Sequence, residues 1–444
     1  MKVLSFKGGI HPQYNKDISI REPLREAPLP DLAVVPLSQH IGAPCEAIVA
    51  KGDVVEEGQI IGKSPSFISS YVHSPIFGTV KDIKKTFHPA LGPTMAVFIE
   101  RDQEKKGKVY SEKDVDTYTP EQIIAKVKDA GIVGMGGAAF PTHVKLSVPE
   151  GKTIKTLIIN GAECEPFLTC DHIMMTRKTD EILKGIEILV DVIKPEITYI
   201  AIEDNKKAAF FAFQKLIEKS THKAISSIKL VLLETKYPQG GEKQLIKAIS
   251  GQEVPPGGLP LDIGFLVQNV GTCHAIYEAI YFDKPLIERV VTISGDCIHR
   301  PGNYLVRMGS TLKDVIEKFG VEMHRDPKKI IVGGPMMGFA QPTIESPILK
   351  STSGILFLSE DYVKDHEEDS CIRCAKCVDV CPVRLTPTDI MRHVKGEMYD
   401  NLEEQLNISD CMECGSCTYT CPARIPLVQY IKQGKDVLLR NKHK

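Results

Sequence analysis

The sequence predicts a multidomain chain in which α/β and α+β units precede a small cysteine-rich α domain. Three observations carry this. Residues 119 to about 280 alternate between strand-like and helix-like segments, which argues for a parallel sheet covered on both faces. Residues 32–101 run instead as short β segments broken by turns. Eight of the thirteen cysteines fall into two copies of one pattern: Cys371, Cys374, Cys377 and Cys381 before Pro382, then Cys411, Cys414, Cys417 and Cys421 before Pro422. With 444 residues and 42% apolar content, several cores can form. The expected units are an extended arm over 1–30, a β domain over 31–115, an α/β domain over 116–285, a β-grasp module over 286–350 and the cysteine domain over 360–444.

The arm is rich in Pro and charge. In the β domain, Gly52-Asp53 and Gly58 mark turns between short strands. In the α/β domain, Pro120 opens a helix with Ile123, Ile124 and Val127 on one face. Strands are expected at Thr156–Ile159, Thr198–Ile202 and Ile228–Leu233, and helices at Thr179–Val192 and Lys206–Glu218. Ligands of such sheets sit beyond the carboxyl ends of the strands, where polar residues follow: Asn160 to Glu163, and Glu203-Asp204. Strands at Glu288–Ser294 and Tyr304–Val306 and a helix at Thr311–Phe319 make the β-grasp unit. Met336 and Met337 read as a packing turn, and the charge-rich stretch from Ser359 through His366–Asp369 as a linker.

Net charge is −2, which offers no basic footprint for nucleic acid. No apolar run is long enough to span a bilayer, so a soluble or peripheral chain is expected, and no secretory signal stands at the N-terminus. The tail from Arg440 to Lys444 is basic and reads as solvated.

The cysteine runs read C-x2-C-x2-C-x3-C-P, which is the bacterial ferredoxin spacing for [4Fe–4S] clusters. Disulfides fit poorly, because cysteines this close in sequence pair badly. Structural zinc is the competitor, but four-ligand zinc leaves no use for the third C-x2-C step. The ferredoxin resemblance implies crossed ligation: one cluster on Cys371, Cys374, Cys377 and Cys421, the other on Cys411, Cys414, Cys417 and Cys381. An amphipathic stretch from Thr388 to Met398 should pack over them as a helix. Cys45, Cys164, Cys170, Cys273 and Cys297 lie outside the pattern and read as small buried hydrophobes.

The second chemical signal is the loop from Gly131 to Lys145, GIVGMGGAAFPTHVK. Gly134, Gly136 and Ala139 match G-x-G-x-x-A, but a helix precedes them where a dinucleotide fold needs a strand. Glycines of this kind let backbone N–H groups approach a phosphate or a flat ring. An ordinary loop with Phe140 in the core is the alternative. The loop resembles the flavin-binding loop of the NADH-oxidising flavoprotein subunit of respiratory complex I, G-R-G-G-x-G-F-P-T-G-x-K. Three further segments follow in the same order. Asn160 to Pro166 resembles N-x-D-E-S-E-P, Tyr237 to Lys243 resembles Y-x-x-G-E-E, and Gln268 to Val270 resembles N-N-V.

The β domain resembles a biotinyl/lipoyl-type sandwich, although the hairpin-tip stretch Ser64–His73 holds no lysine for an attached cofactor, so a docking platform is expected. With Gly8-Gly-Ile-His-Pro12 at the start, this lipoyl-like β-sandwich, a Rossmann-like FMN/NADH domain, an SLBB-type β-grasp module and a two-cluster ferredoxin unit, the whole chain resembles the RnfC family of the Rnf electron-transport complex. That resemblance implies a peripheral NADH-linked oxidoreductase subunit on the cytoplasmic face of the cell membrane. It would carry FMN and two [4Fe–4S] clusters, and its partners would be membrane subunits of a translocase and a ferredoxin-type iron–sulfur subunit.

The resemblance implies that Gly134, Gly136 and Gly137 line the FMN, with Lys145 near its phosphate. Asn160, Glu163, Tyr237, Gly240, Gly241, Glu242 and Asn269 would complete the pocket. Phe140 would stack on NADH, and Glu165 would hold a nicotinamide or ribose group. Two positions depart from the complex I pattern: Met135 stands for Arg, removing a fixed charge, and Ala162 stands for Asp, removing a polar contact to the ribityl chain. Two other readings are a soluble NADH-dependent flavin/iron–sulfur reductase of cobalamin-reductase type and a non-enzymatic iron–sulfur adaptor without FMN.

Overall fold

The structure is a computed structural model describing residues 2–113, 115, 118–365 and 367–442. The boundary expected at 115/116, residue 366 within the expected linker, and the end of the basic tail, 443–444, fall on or beside residues outside that set.

The α/β domain contains a five-stranded, all-parallel sheet in the order Val3–Leu4, Lys229–Leu233, Ile197–Glu203, Thr156–Gly161, Phe265–Asn269. Leu157 and Ile159 face one layer of helices, while Ile158 faces the other with Leu245 and Ile246. That two-residue alternation within a continuous apolar run is how a sheet buries both faces. Helices Thr179–Ile193 and Val270–Phe282 pack closely on the first face. Their crossing depends on Gly185, where a Cβ would stand 1.9 Å from the Cys273 carbonyl oxygen. The edge strand Val3–Leu4 comes from the N-terminal arm. The composition of the arm predicts extended backbone there, but not membership of this sheet.

The β domain is a sandwich of two sheets. One orders Leu32–Pro36, Gly92–Arg101, Gly78–His88, Val54–Val55, and the other orders Glu46–Ala47, Ile60–Lys63, Val72–His73. Ala33, Val35, Ile61, Val72, Val97 and Ile99 fill its core. The β-grasp unit is a six-stranded sheet in the order Phe339–Ala340, Lys329–Val332, Gly354–Leu358, Glu288–Gly295, Gly302–Arg307, Leu24–Glu26, with helix Leu312–Lys318 packed on it. Two of its strands lie outside the expected 286–350. Gly354–Leu358 is buried throughout and so lacks the polar alternation of a half-exposed strand. Leu24–Glu26 is again lent by the arm.

The C-terminal unit repeats itself. A short helix carries the third cysteine of each run, Lys376–Asp379 and Ser416–Thr420, and a longer helix follows each Cys-Pro, Pro387–Lys395 and Leu427–Lys442. The longer helices pack on each other, with Ile390, Met391 and Val394 buried, as the amphipathic pattern requires. Among the described residues, no helix is long and apolar enough to cross a membrane.

Gly185→Leu must drive a side chain into the backbone of the neighbouring helix. We expect a loss of about 2–3 kcal/mol in denaturant titration, with the far-ultraviolet spectrum of any folded fraction unchanged.

Candidate functional site: a glycine-lined strand edge and two cysteine cages

Thr119 and Gln122 form a capping box on helix Pro120–Asp129, which delivers the chain into the glycine loop. The loop closes on itself. Gly134 donates to the Phe140 carbonyl at 2.8 Å, Thr142 to Ile132 at 3.0 Å, and Val133 bridges Pro141. Ala139 is held at φ +49°, a strained setting for a residue with a side chain. Its carbonyl accepts the Ile41 N–H of the β-sandwich at 3.2 Å. Gly136, Gly137 and Ala138 are left exposed.

Opposite the loop stand the carboxyl ends of two neighbouring strands, with Asn160 and Asn269 in register. Asn269 caps helix Val270–Phe282 through Gly271 N–H at 2.8 Å and donates to Asp171 at 2.8 Å. A Cβ on Gly136 would lie 3.6 Å from the Asn269 Cβ, so loop and strand end share one wall. Asn160 donates to the Gly240 carbonyl at 2.9 Å and accepts from Ala162 N–H at 3.0 Å. A Cβ on Gly240 would sit 2.3 Å from the Ala162 carbonyl, which restricts that position to glycine. Lys145 reaches Glu242 at 2.8 Å and the Val267 carbonyl at 3.2 Å. Gly134, Gly136, Gly137, Lys145, Asn160, Gly240, Gly241, Glu242 and Asn269 therefore converge from four distant segments.

Gln239 and Gln244 add buried amide atoms with no hydrogen-bond partner to this edge. Orphaned polar atoms are costly unless a ligand or water meets them. Together with a cation, exposed glycine backbone and a half-buried aromatic ring at Phe140, this donor set fits a flat, phosphate-bearing group such as FMN. Neither glutamine stands out in the sequence, although Gln239 lies inside the Tyr237–Lys243 segment.

The remaining expected residues point elsewhere. Glu163 is buried, and its carboxylate accepts the Asp171 and His172 N–H groups at 2.8 and 3.3 Å, at the start of helix Cys170–Arg177. Burial, and then Glu163, push the Asp171 carboxyl above its ordinary range. Glu165 turns to the β-grasp unit and accepts from Met336 and Met337 N–H at 3.1 and 3.0 Å. The methionine turn is thus a carboxylate receptor as well as a packing turn. Burial outweighs those two bonds and lifts the Glu165 carboxyl to about 7. Tyr237 donates its hydroxyl to the Cys414 carbonyl at 2.8 Å. The five cysteines outside the runs are all buried.

The cysteine runs form two cages. A cavity of about 410 Å³ is lined by Cys371, Cys374, Cys377 and Cys421, together with Arg373, Thr388 and Arg392. A single tetrahedral ion with metal–sulfur bonds of about 2.3 Å would leave most of that space empty, whereas an iron–sulfur cluster suits it. Burial and then neighbouring thiols raise Cys411 to about 11 and Cys417 to about 12, and Cys381 adds to the rise at Cys411, Cys414 and Cys417. Cys381 therefore stands with the second run and Cys421 with the first. Both runs share the same backbone devices. Arg373 and Glu413 have φ +59° and donate N–H to Cys371 and Cys411 sulfur at 3.4 Å.

A flavin-type α/β domain and a dicluster unit on one chain define a flavo-iron–sulfur electron-transfer protein. Residues 127–278 match the Nuo51 FMN-binding domain, 4–104 the RnfC barrel sandwich hybrid domain, 290–340 the SLBB domain and 364–422 the 4Fe–4S dicluster domain. The chain is 45% identical over 96% of its length to a subunit of the proton-translocating ferredoxin:NAD(+) oxidoreductase complex of Clostridium ljungdahlii, covering 93% of that protein. It is 41% identical over 90% of its length to the counterpart from the Na(+)-translocating ferredoxin:NAD(+) oxidoreductase complex of Acetobacterium woodii, covering 89% of it. The counterpart from an ion-translocating oxidoreductase complex of Vibrio cholerae is 40% identical over 92% of this chain, which covers 52% of that longer protein. The chain belongs to the RnfC family, one of the subunit families of Rnf-type ion-translocating oxidoreductase complexes.

Cys421→Ser should empty the first cage while sparing the second. Iron would fall from about eight to about four atoms per chain, and full retention of iron would exclude crossed ligation. Glu165 has a separate pH signature. Its folded pKa, about 7, lies above the unfolded value, so the folded state binds the extra proton in between. Stability should therefore fall as pH rises from about 4.5 to 7, by on the order of 3 kcal/mol from this group. Glu165→Gln should flatten that part of the pH–stability curve.

Proposed function

We propose that the chain is the NAD(H)-facing electron-transfer subunit of such a complex, exchanging electrons between NAD(H), FMN and two [4Fe–4S] clusters. The single observation that carries this is the segment from Tyr237 to Glu242, which borders both sites. Gly240 holds Asn160 at the flavin-type edge, and Tyr237 holds Cys414 in the second cage. When bound, FMN accepts a hydride as a pair and releases electrons singly, and the protein contributes position and electrostatics.

On this reading Gly134, Gly136, Gly137, Asn160, Gly240, Gly241, Glu242 and Asn269 hold the flavin, and Lys145 offsets phosphate charge. Phe140 stacks on the nicotinamide nucleotide. Glu163, Glu165 and Tyr237 shape the walls without offering a free polar group. The second cage lies against the flavin-type domain. The first opens outward, with Cys374 exposed and Ile372 68% exposed, and suits a ferredoxin-type iron–sulfur partner. The β-sandwich, with no lysine at its hairpin tip, serves as a docking platform on membrane subunits at the cytoplasmic face.

The chain reconstituted with iron, sulfide and FMN under anaerobic conditions should show bleaching of the flavin band on adding NADH, followed by cluster reduction. A flavin that binds and does not bleach would sink the NADH assignment. Co-purification with membrane subunits separates this reading from a soluble reductase.

A further inference from the structure

The second cage is completed by residues far from it in sequence. Tyr237, 1% exposed, donates its hydroxyl to the Cys414 carbonyl at 2.8 Å. The Tyr237 backbone pairs with Ile10 through two N–H···O bonds of 2.8 Å, one in each direction. One residue earlier, Gly9 donates its N–H to the Val380 carbonyl at 2.8 Å. Gly8 passes so close that a Cβ would stand 2.9 Å from the Cys381 carbonyl oxygen, and a Cβ on Gly9 would stand 2.7 Å from the Tyr237 oxygen. Both glycines have φ above +80°. The N-terminal strap is thus threaded between Tyr237 and the peptide that carries Cys381, a passage only glycine can make. Cys164, Met336 and Met412 close the packing around Ile10 and Tyr237. The first cage is different: among the described residues, its cavity is lined by residues between 371 and 423 alone.

We propose that Tyr237 and the Gly8–Ile10 strap are positioning residues for the cluster of Cys381, Cys411, Cys414 and Cys417, setting its potential from outside the cysteine domain. The inference rests on the two-cluster reading above. A reduced cluster carries one more negative charge than an oxidised one. The Tyr237 hydroxyl places the positive end of its O–H dipole on the peptide that carries Cys414 and so favours the more negative, reduced form, and the buried packing keeps water from screening the effect. The strap acts on the other flank by fixing the Cys381 backbone.

The test is a potentiometric titration of the reconstituted chain followed by electron paramagnetic resonance, with the signals first assigned using Cys381→Ser and Cys421→Ser. Tyr237→Phe keeps the buried ring and removes only the donor. It should lower the second cluster's potential by up to about tenfold in the one-electron equilibrium, about 59 mV, and leave the first cluster unmoved. Gly8→Ala should alter the second cluster's line shape alone, and Tyr237→Phe carries the test if that variant does not fold. An unchanged second-cluster potential in Tyr237→Phe, or an equal shift in both clusters, overturns the positioning role while leaving the two-cluster reading intact. If Cys381→Ser removes both signals or neither, both ideas fall together.

Discussion

A buried ammonium organises the loop that follows strand Thr156–Gly161, between the glycine-lined edge and the β-grasp turn. Lys16 is buried, and its Nζ donates to the carbonyls of Glu163, Glu165 and Leu168 at 2.7, 2.9 and 2.6 Å. Removing a lysine from water costs several kcal/mol, and burial accordingly lowers its pKa. Three carbonyls on one ammonium offset that cost by satisfying all three donors. The result is a tight turn after strand Thr156–Gly161 that sends the Glu163 carboxylate to the start of helix Cys170–Arg177 and the Glu165 carboxylate to the β-grasp turn. Beside it Lys206 donates to the Glu163 carbonyl at 3.3 Å and pairs with Glu203, both wholly buried. The arm is therefore part of the α/β core, and its two short strands extend two different sheets.

The two cysteine cages share a local backbone and differ in surroundings. Positive φ recurs at Arg373, Ala375 and Arg384 in the first run and at Glu413, Gly415 and Arg424 in the second. Only the second run has glycine among these. A Cβ at Gly415 would stand 3.2 Å from the Met336 carbonyl, so that cage is pressed against the β-grasp turn, whereas Ala375 lines the open cavity of the first. Cluster potentials respond to exposure and hydrogen bonding, so one ligand pattern written twice yields two unlike sites.

Much of this was legible in the chain. The parallel sheet followed from apolar runs separated by amphipathic helices, and the cages followed from cysteine spacing, because both are periodic or local. The glycine loop was legible through four ordered segments, and one of its glycines, Gly136, stands beside Asn269 at the strand edge. The strands Val3–Leu4 and Leu24–Glu26 were not legible, since two or three residues show no period. Gln239 and Gln244 were hidden because nothing local marks an amide as lacking a partner.

The sequence by itself determined the chemistry: which cysteines can bind iron, which glycines bare their backbone, and which segments become sheet. Only the tertiary structure decided direction and neighbourhood. It turned Glu165 toward Met336, laid Tyr237 on Cys414, and threaded Gly8-Gly9 past Cys381. These are long-range approaches of one backbone to another, and such contacts depend on how whole domains pack, which residue type and spacing along the chain do not encode.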